Sequence, residues 1–154
     1  MGIEIERKFR VINDEYKKLG KPIFYKQGYF STNTNPLIRI RIVSNNGFLT
    51  IKGKNKGICR LEYEYKIPIK DANELLDKFC SDRFIEKNRY IININNKKWE
   101  IDEFLGDNYG LVIAEIELNH SDEEFEKPKW IEKEISHQEK YFNYKLLDNP
   151  YSTW

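Results

Sequence analysis

The chain is predicted to be mainly β, a closed antiparallel barrel with a few flanking helices, and three observations lead there. Seven or eight segments alternate apolar and charged side chains with period two, the spacing of a strand with two unlike faces. The turn pairs Asn46-Gly47 and Asn95-Asn96 separate such segments, as in antiparallel hairpins. The charged faces carry both signs and are too numerous to meet a dry core, whereas a closed barrel gives them a shared lumen and removes the sheet edges.

Gly2-Ile3-Glu4-Ile5-Glu6-Arg7-Lys8-Phe9 opens a strand reaching Val11, with Glu4, Glu6 and Lys8 on one face and Ile3, Ile5 and Phe9 on the other. Asn13–Gly20 is predicted as a short helix and Phe24–Phe30 as an aromatic strand, followed by a polar loop ending at Pro36. Leu37–Val43 and Phe48–Gly53 form a hairpin around Asn46-Gly47, and a two-residue turn there sets Arg41 opposite Lys52 and Arg39 opposite Lys54. Like charges opposed in this way destabilise a sheet unless an anion compensates them. Cys59–Ile67 is the next alternating strand, stopped by Pro68. Asp71 and Glu74 predict a capping box for a helix to about Cys80, with Leu75, Leu76 and Phe79 as its apolar face.

Phe84–Ile94 and Lys98–Phe104 form a second hairpin through Asn95-Asn96, which sets Arg89 opposite Asp102. Leu111–Asn119 is an apolar strand interrupted by Glu115 and Glu117. Ser121 with Glu124 predicts a short helical turn, Lys133-Glu134-Ile135 a brief strand, and Ser136 with Glu139 a terminal helix carrying Tyr141, Phe142, Tyr144, Leu146 and Leu147.

At 154 residues the chain is read as one domain over 1–154, and 26 Lys plus Arg against 25 Asp plus Glu argue against a protein that coats nucleic acid. No stable nucleic-acid partner is expected, and a monomer or homodimer is. Cys59 and Cys80 lack the partners of a zinc or CxxC site. No leader-like segment opens the chain and no apolar run approaches about 18 residues, so a cytoplasmic protein without a membrane partner is expected.

The predicted inward set is Glu4, Glu6, Lys8, Arg39, Arg41, Lys52, Glu62, Glu64, Lys87, Arg89, Asp102, Glu115, Glu117 and Lys133. Burying so many charges for stability alone gains little over packed apolar residues. Glu4 and Glu6 lie about 6 to 7 Å apart along one face, close enough to meet one hard cation, and Glu115 with Glu117 repeats the spacing. Mg²⁺ or Mn²⁺ suits carboxylate and phosphate oxygens, whereas His120 and His137 stand outside these runs and zinc is not expected. The Arg forks and Lys ammoniums suit a chain of phosphoryl groups. Such a site supports hydrolysis by direct attack of water on a small polyanion, a tripolyphosphate or nucleoside triphosphate. Taken singly, Glu4/Glu6 and Glu62/Glu64 are also what solvated strand faces look like, and Arg89 with Asp102 is also what a structural ion pair looks like. Tyr29 is either a core aromatic or a hydroxyl at the mouth of the lumen.

The ordered set Glu4-x-Glu6-x-Lys8, Arg39-x-Arg41, Lys52, Glu62-x-Glu64, Lys87-x-Arg89, Asp102, Glu115-x-Glu117 and Lys133 resembles the CYTH superfamily, in particular the small bacterial triphosphate tunnel metalloenzymes. The resemblance implies an eight-stranded antiparallel barrel enclosing a tunnel, with a C-terminal helix against one opening. It implies Glu4, Glu6 and Glu117 as metal ligands for Mg²⁺ or Mn²⁺. Lys8, Arg39, Arg41, Lys52, Lys87, Arg89 and Lys133 become phosphate ligands, and Glu62, Glu64, Asp102 and Glu115 organise water, a second metal or the basic side chains. For catalysis it points to Glu62, Glu64, Lys87, Arg89, Asp102 and Glu115. Inorganic tripolyphosphate is the first expected substrate and nucleoside triphosphates the second. A CYTH-type adenylate cyclase and a noncatalytic polyphosphate or RNA 5′-end binding module are the rival expectations.

Overall fold

The computed structural model describes residues 2–80 and 83–154. Nine strands follow in chain order: β1 (Ile3–Val11), β2 (Ile23–Tyr29), β3 (Leu37–Val43), β4 (Asn46–Lys52), β5 (Cys59–Ile67), β6 (Ile85–Ile94), β7 (Lys97–Phe104), β8 (Val112–Glu117) and β9 (Ile131–Glu134). Helix α1 (Ile69–Phe79) joins β5 to β6, and α2 (Lys145–Asp148) is a single turn near the C-terminus. The sheet runs β5-β4-β3-β2-β6-β7-β8-β1 and closes through β1–β5, giving the expected eight-stranded barrel, with β9 added outside the ring. Every pairing is antiparallel.

β1 sits at the seam. One of its edges meets β8 over Glu6–Arg10, while the other is shared, Ile3–Ile5 going to β5 and Phe9–Val11 to β9 after a register shift. The segment between β8 and β9 ends in Trp130, which joins Phe9, Tyr16, Trp99, Ile101 and Ile116 in the largest core cluster on the outer side of the barrel.

On the opposite side, α1 lays Ala72, Leu76 and Cys80 against Ile40 of β3. This contact explains two glycines. A Cβ on Gly47 would fall 2.6 Å from the Cβ of Ala72, and one on Gly28 would fall 2.8 Å from the Cβ of Cys80, so only glycine lets the helix approach. Gly47 therefore lies in β4 and not in the turn expected of it. The β3–β4 turn is Ser44-Asn45, with Ser44 at φ 54° and Val43 paired to Asn46. Arg39 consequently faces Thr50 and Arg41 faces Phe48, so the expected opposition of Arg41 to Lys52 does not occur. The displacement is by an even number of residues, which leaves every side chain on its expected face. The β6–β7 hairpin turns at Asn95-Asn96 as expected, both with positive φ, and Arg89 pairs with Asp102.

Three expected caps are not formed. α1 begins at Ile69, two residues ahead of Asp71, with Pro68 in the N-cap position and no side-chain cap. Residues 121–122 form only a turn. The expected terminal helix is broken into a 3-10 turn at Glu139–Tyr141, α2 and a second 3-10 turn at Tyr151–Thr153. Ser136 does not cap; its Oγ accepts from the Lys8 backbone N–H at 2.9 Å and donates to Glu134 Oε2 at 2.6 Å, tying the start of the C-terminal segment to β1. That segment still packs at one end of the barrel, where Tyr141 and Leu146 meet Ile85, Phe104 and Ile113. The last three stand on the lumen face, since Ile85 pairs with Gln27, Phe104 with Lys87 and Ile113 with Asp102. Apolar side chains thus fill one stretch of the lumen and leave the rest polar. Among the described residues no helix is long and apolar enough to cross a membrane.

Candidate active site

The polar part of the lumen is a cavity of about 410 Å³, within the roughly 300–1,000 Å³ of small-ligand sites. Seven acids line it, Glu4, Glu6, Glu62, Glu64, Glu100, Glu115 and Glu117, together with seven bases, Lys8, Arg39, Arg41, Lys52, Arg60, Lys87 and Arg89. Their order around the ring separates the signs. The acids stand on the contiguous strands β7, β8, β1 and β5, whereas Lys52, Arg39, Arg41, Lys87 and Arg89 stand on β4, β3 and β6, the arc that faces them. Lys8 and Arg60 are the two bases within the acidic arc. Twelve of the fourteen side chains predicted to face inward line the cavity.

Asp102 lies behind the wall, fully buried, where one carboxylate serves two cations. Arg89 donates to it through Nε at 2.7 Å and Nη2 at 2.8 Å, and Lys87 Nζ approaches Oδ2 at 2.8 Å. These cations hold Asp102 at about 2 despite the burial that opposes its charge. Arg89 also donates to Glu100 at 2.7 Å. On β3, Arg39 donates to Glu64 and Thr50, each at 3.1 Å, and Thr50 donates on to Glu64 at 3.1 Å. Lys52 reaches Glu62 at 3.2 Å. Lys8 bridges Glu6 at 2.8 Å and Glu115 at 2.7 Å.

The structure does not bring Lys133 to the cavity. β9 lies outside the ring, paired to the second half of β1, and Lys133 is exposed on it. Conversely, Arg60 and Glu100 were not in the predicted set although they share strand parity with Glu62 and Asp102; Arg60 sits across from Glu4 and Glu100 across from Glu115. Tyr29 lines the cavity near its C-terminal wall, accepting through its hydroxyl from Gln27 at 2.9 Å. Phe142, Asn143 and Tyr144 complete that wall, and no periodicity announces them.

The carboxylates are crowded where a cation is expected. Burial, the charge of Glu6 and a hydrogen bond with Glu62 push Glu4 up to about 9. Glu6 is held well below the usual range by Lys8 and Lys52 in spite of burial, and Glu117 is raised chiefly by burial. Among the described residues no three acidic, His or Cys side chains stand close enough together to cage a metal. That suits Mg²⁺ or Mn²⁺, which take one or two carboxylates and complete their shell with water and phosphate oxygen. A cation beside Glu4 would relieve the repulsion that keeps it protonated.

The family model for the CYTH domain matches residues 2–148. An inorganic triphosphatase of Acetivibrio thermocellus is 47% identical over 154 residues, covering 100% of this chain and 99% of that protein. The crystal structure of the inorganic triphosphatase NE1496 aligns with a TM-score of 0.64 at 28% identity, over 94% of this chain and 93% of that one. HpAC1 of Hippeastrum, a protein with a dominant triphosphatase activity, shares the fold at a TM-score of 0.56 and 15% identity, over 78% and 80% of the two chains.

Proposed function

Because the chain belongs to the CYTH domain family, we propose that it is a metal-dependent triphosphatase that hydrolyses the terminal phosphoanhydride of inorganic tripolyphosphate, with nucleoside triphosphates as its second substrates. The observation that carries this reading is the separation of charge across one cavity, bases on β4, β3 and β6 facing acids on β7, β8, β1 and β5. A linear polyanion lies against the first arc, and the second arc receives its counter-cation and the attacking water.

On this reading Arg39, Arg41, Lys52, Lys87, Arg89 and Lys8 grip phosphoryl oxygens; Lys133, outside the cavity, does not. Glu4, Glu6 and Glu117 hold Mg²⁺ or Mn²⁺, which when bound draws charge from the phosphoryl oxygens. The water oxygen attacks the terminal phosphorus, the bond to the bridging oxygen breaks, and diphosphate and orthophosphate leave. A carboxylate of the Glu62, Glu64 and Glu115 set takes the water proton. Lys87 and Arg89, braced by Asp102, face the charge that gathers on the departing oxygen. Residues 1–154 act as one domain, as monomer or homodimer, and the two unpaired thiols, Cys59 and Cys80, suit the reducing cytoplasm.

Purified protein given tripolyphosphate or ATP with Mg²⁺ or Mn²⁺ is expected to release orthophosphate. No release from either substrate with either metal overturns the reading, and cyclic AMP as the product from ATP replaces it with a cyclase.

A further inference from the structure

Two of the phosphate-facing cations are held by uncharged groups. Of the bases on β1, β3, β4 and β6, Lys8, Arg39, Lys52, Lys87 and Arg89 each have a carboxylate within ion-pair distance. Among the described residues Arg41 has none. Its Nε donates instead to Gln27 Oε1 at 3.0 Å. Gln27 Nε2 donates to Asn143 Oδ1 at 3.1 Å, and the same oxygen accepts from Lys87 Nζ at 2.7 Å. Gln27 is fully buried, and its amide nitrogen is shared with the Tyr29 hydroxyl at 2.9 Å.

The polarity of this chain is determined by its ends. Arg and Lys can only donate, so both terminal contacts demand amide oxygens. Asn143 must turn Oδ1 toward Lys87, and Gln27 must turn Oε1 toward Arg41, which leaves Gln27 Nε2 to donate to Asn143. Carboxylates at positions 27 and 143 would satisfy the same cations in the same shape, but they would cancel charge that an anion needs. With amides there, Nη1 and Nη2 of Arg41 make no hydrogen bond among the described residues, and they border the cavity.

We propose that Gln27 and Asn143 are positioning residues, a neutral amide relay that aims Arg41 and Lys87 together at one end of the bound polyphosphate without neutralising them. The inference rests on the polyphosphate reading of the cavity. It also gives the C-terminal segment a part in substrate binding, since Asn143 reaches the lumen from the wall that closes over it.

The test is Gln27→Glu, with inorganic tripolyphosphate as the probe, titrated by calorimetry in EDTA so that binding is read apart from turnover. The variant should melt at or above the wild-type temperature while its Kd, and its KM in the phosphate-release assay, rise on the order of tenfold or more. Asn143→Asp carries the same test from the other end and serves if Gln27→Glu does not fold. Wild-type Kd in folded variants overturns the relay, as does a loss of affinity seen only together with a lowered melting temperature. A wild type that binds tripolyphosphate without hydrolysing it sinks the triphosphatase reading instead, and the relay then stands on the Kd change alone.

Discussion

Asp102→Asn should make the protein less stable when empty and more responsive to its ligand. The side chain is fully buried and carries two cations, with contacts of 2.7 and 2.8 Å to Arg89 and 2.8 Å to Lys87. Removing one partner of a buried pair costs about 3–5 kcal/mol when the remaining charge has no escape. Here one charge has an escape, because burial already lowers Lys87 to about 7 and the loss of Asp102 lets it shed its proton near neutrality. The carboxyl itself, held at about 2 against an ordinary 3.8, accounts for roughly 2 kcal/mol. A loss of about 2–3 kcal/mol follows, and for a domain of this size each kcal/mol moves Tm by about 2–4 °C, giving a drop of about 4–12 °C. Tripolyphosphate supplies the missing negative charge, so the Tm gain at saturating ligand should be larger in the variant than in the wild type. The assay is a thermal melt with and without tripolyphosphate in EDTA. A variant melting within ~1 °C of wild type, or gaining no more from ligand, refutes the view that Asp102 is the brace of the phosphate wall.

Glu4→Gln should retain the fold and lose metal-dependent phosphate release by more than the roughly 10–100-fold typical of an outer-shell partner; circular dichroism alongside the phosphate assay reads both, and full activity would remove Glu4 from the metal. Metal-free stability should fall as pH rises from about 5 to 7. Glu4, raised from 4.5 to about 9, keeps a proton in the folded chain that the unfolded chain has lost, and melts in EDTA should show the slope in wild type and not in Glu4→Gln. Above neutrality the depressed Lys52 and Lys87 act with opposite sign, which confines the test to the acidic side. Gly47→Ala should cost about 1–3 kcal/mol in urea unfolding, because its methyl would lie 2.6 Å from Ala72 Cβ and force α1 off the sheet; an unchanged midpoint would mean that α1 can shift freely.

Strand faces were the most legible part of the chain, because period two assigns a side chain to the lumen or the outside whatever its partner turns out to be. Glu4, Glu6, Arg39, Arg41, Glu62 and Glu64 all reach the cavity even though the β3–β4 register was misread. That error came from Gly47, whose lack of a side chain answers a helix packed across the sheet and not a local turn. Arg60 and Glu100 were readable by the same parity and were passed over because motif spacing drew attention elsewhere. Lys133 shows the converse: alternation marks a strand face but not whether the strand joins the ring. Gln27 and Asn143 carry no pattern, since they meet only after 116 residues of intervening chain have been folded. The caps at Asp71, Ser121 and Ser136 failed for a related reason; Ser136 is claimed by Lys8 and Glu134, partners distant from any helix start.

The first strand has neighbours that are all made later. β1 pairs with β5, β8 and β9, so during synthesis it leaves the ribosome with both edges bare and stays so until most of the chain has followed. A waiting strand of plain Ile and Val would recruit other nascent chains, and charges spaced along such an edge are how proteins prevent that. Glu4, Glu6 and Lys8 therefore have two occupations in sequence, first as chaperones of their own strand and afterwards as walls of the cavity.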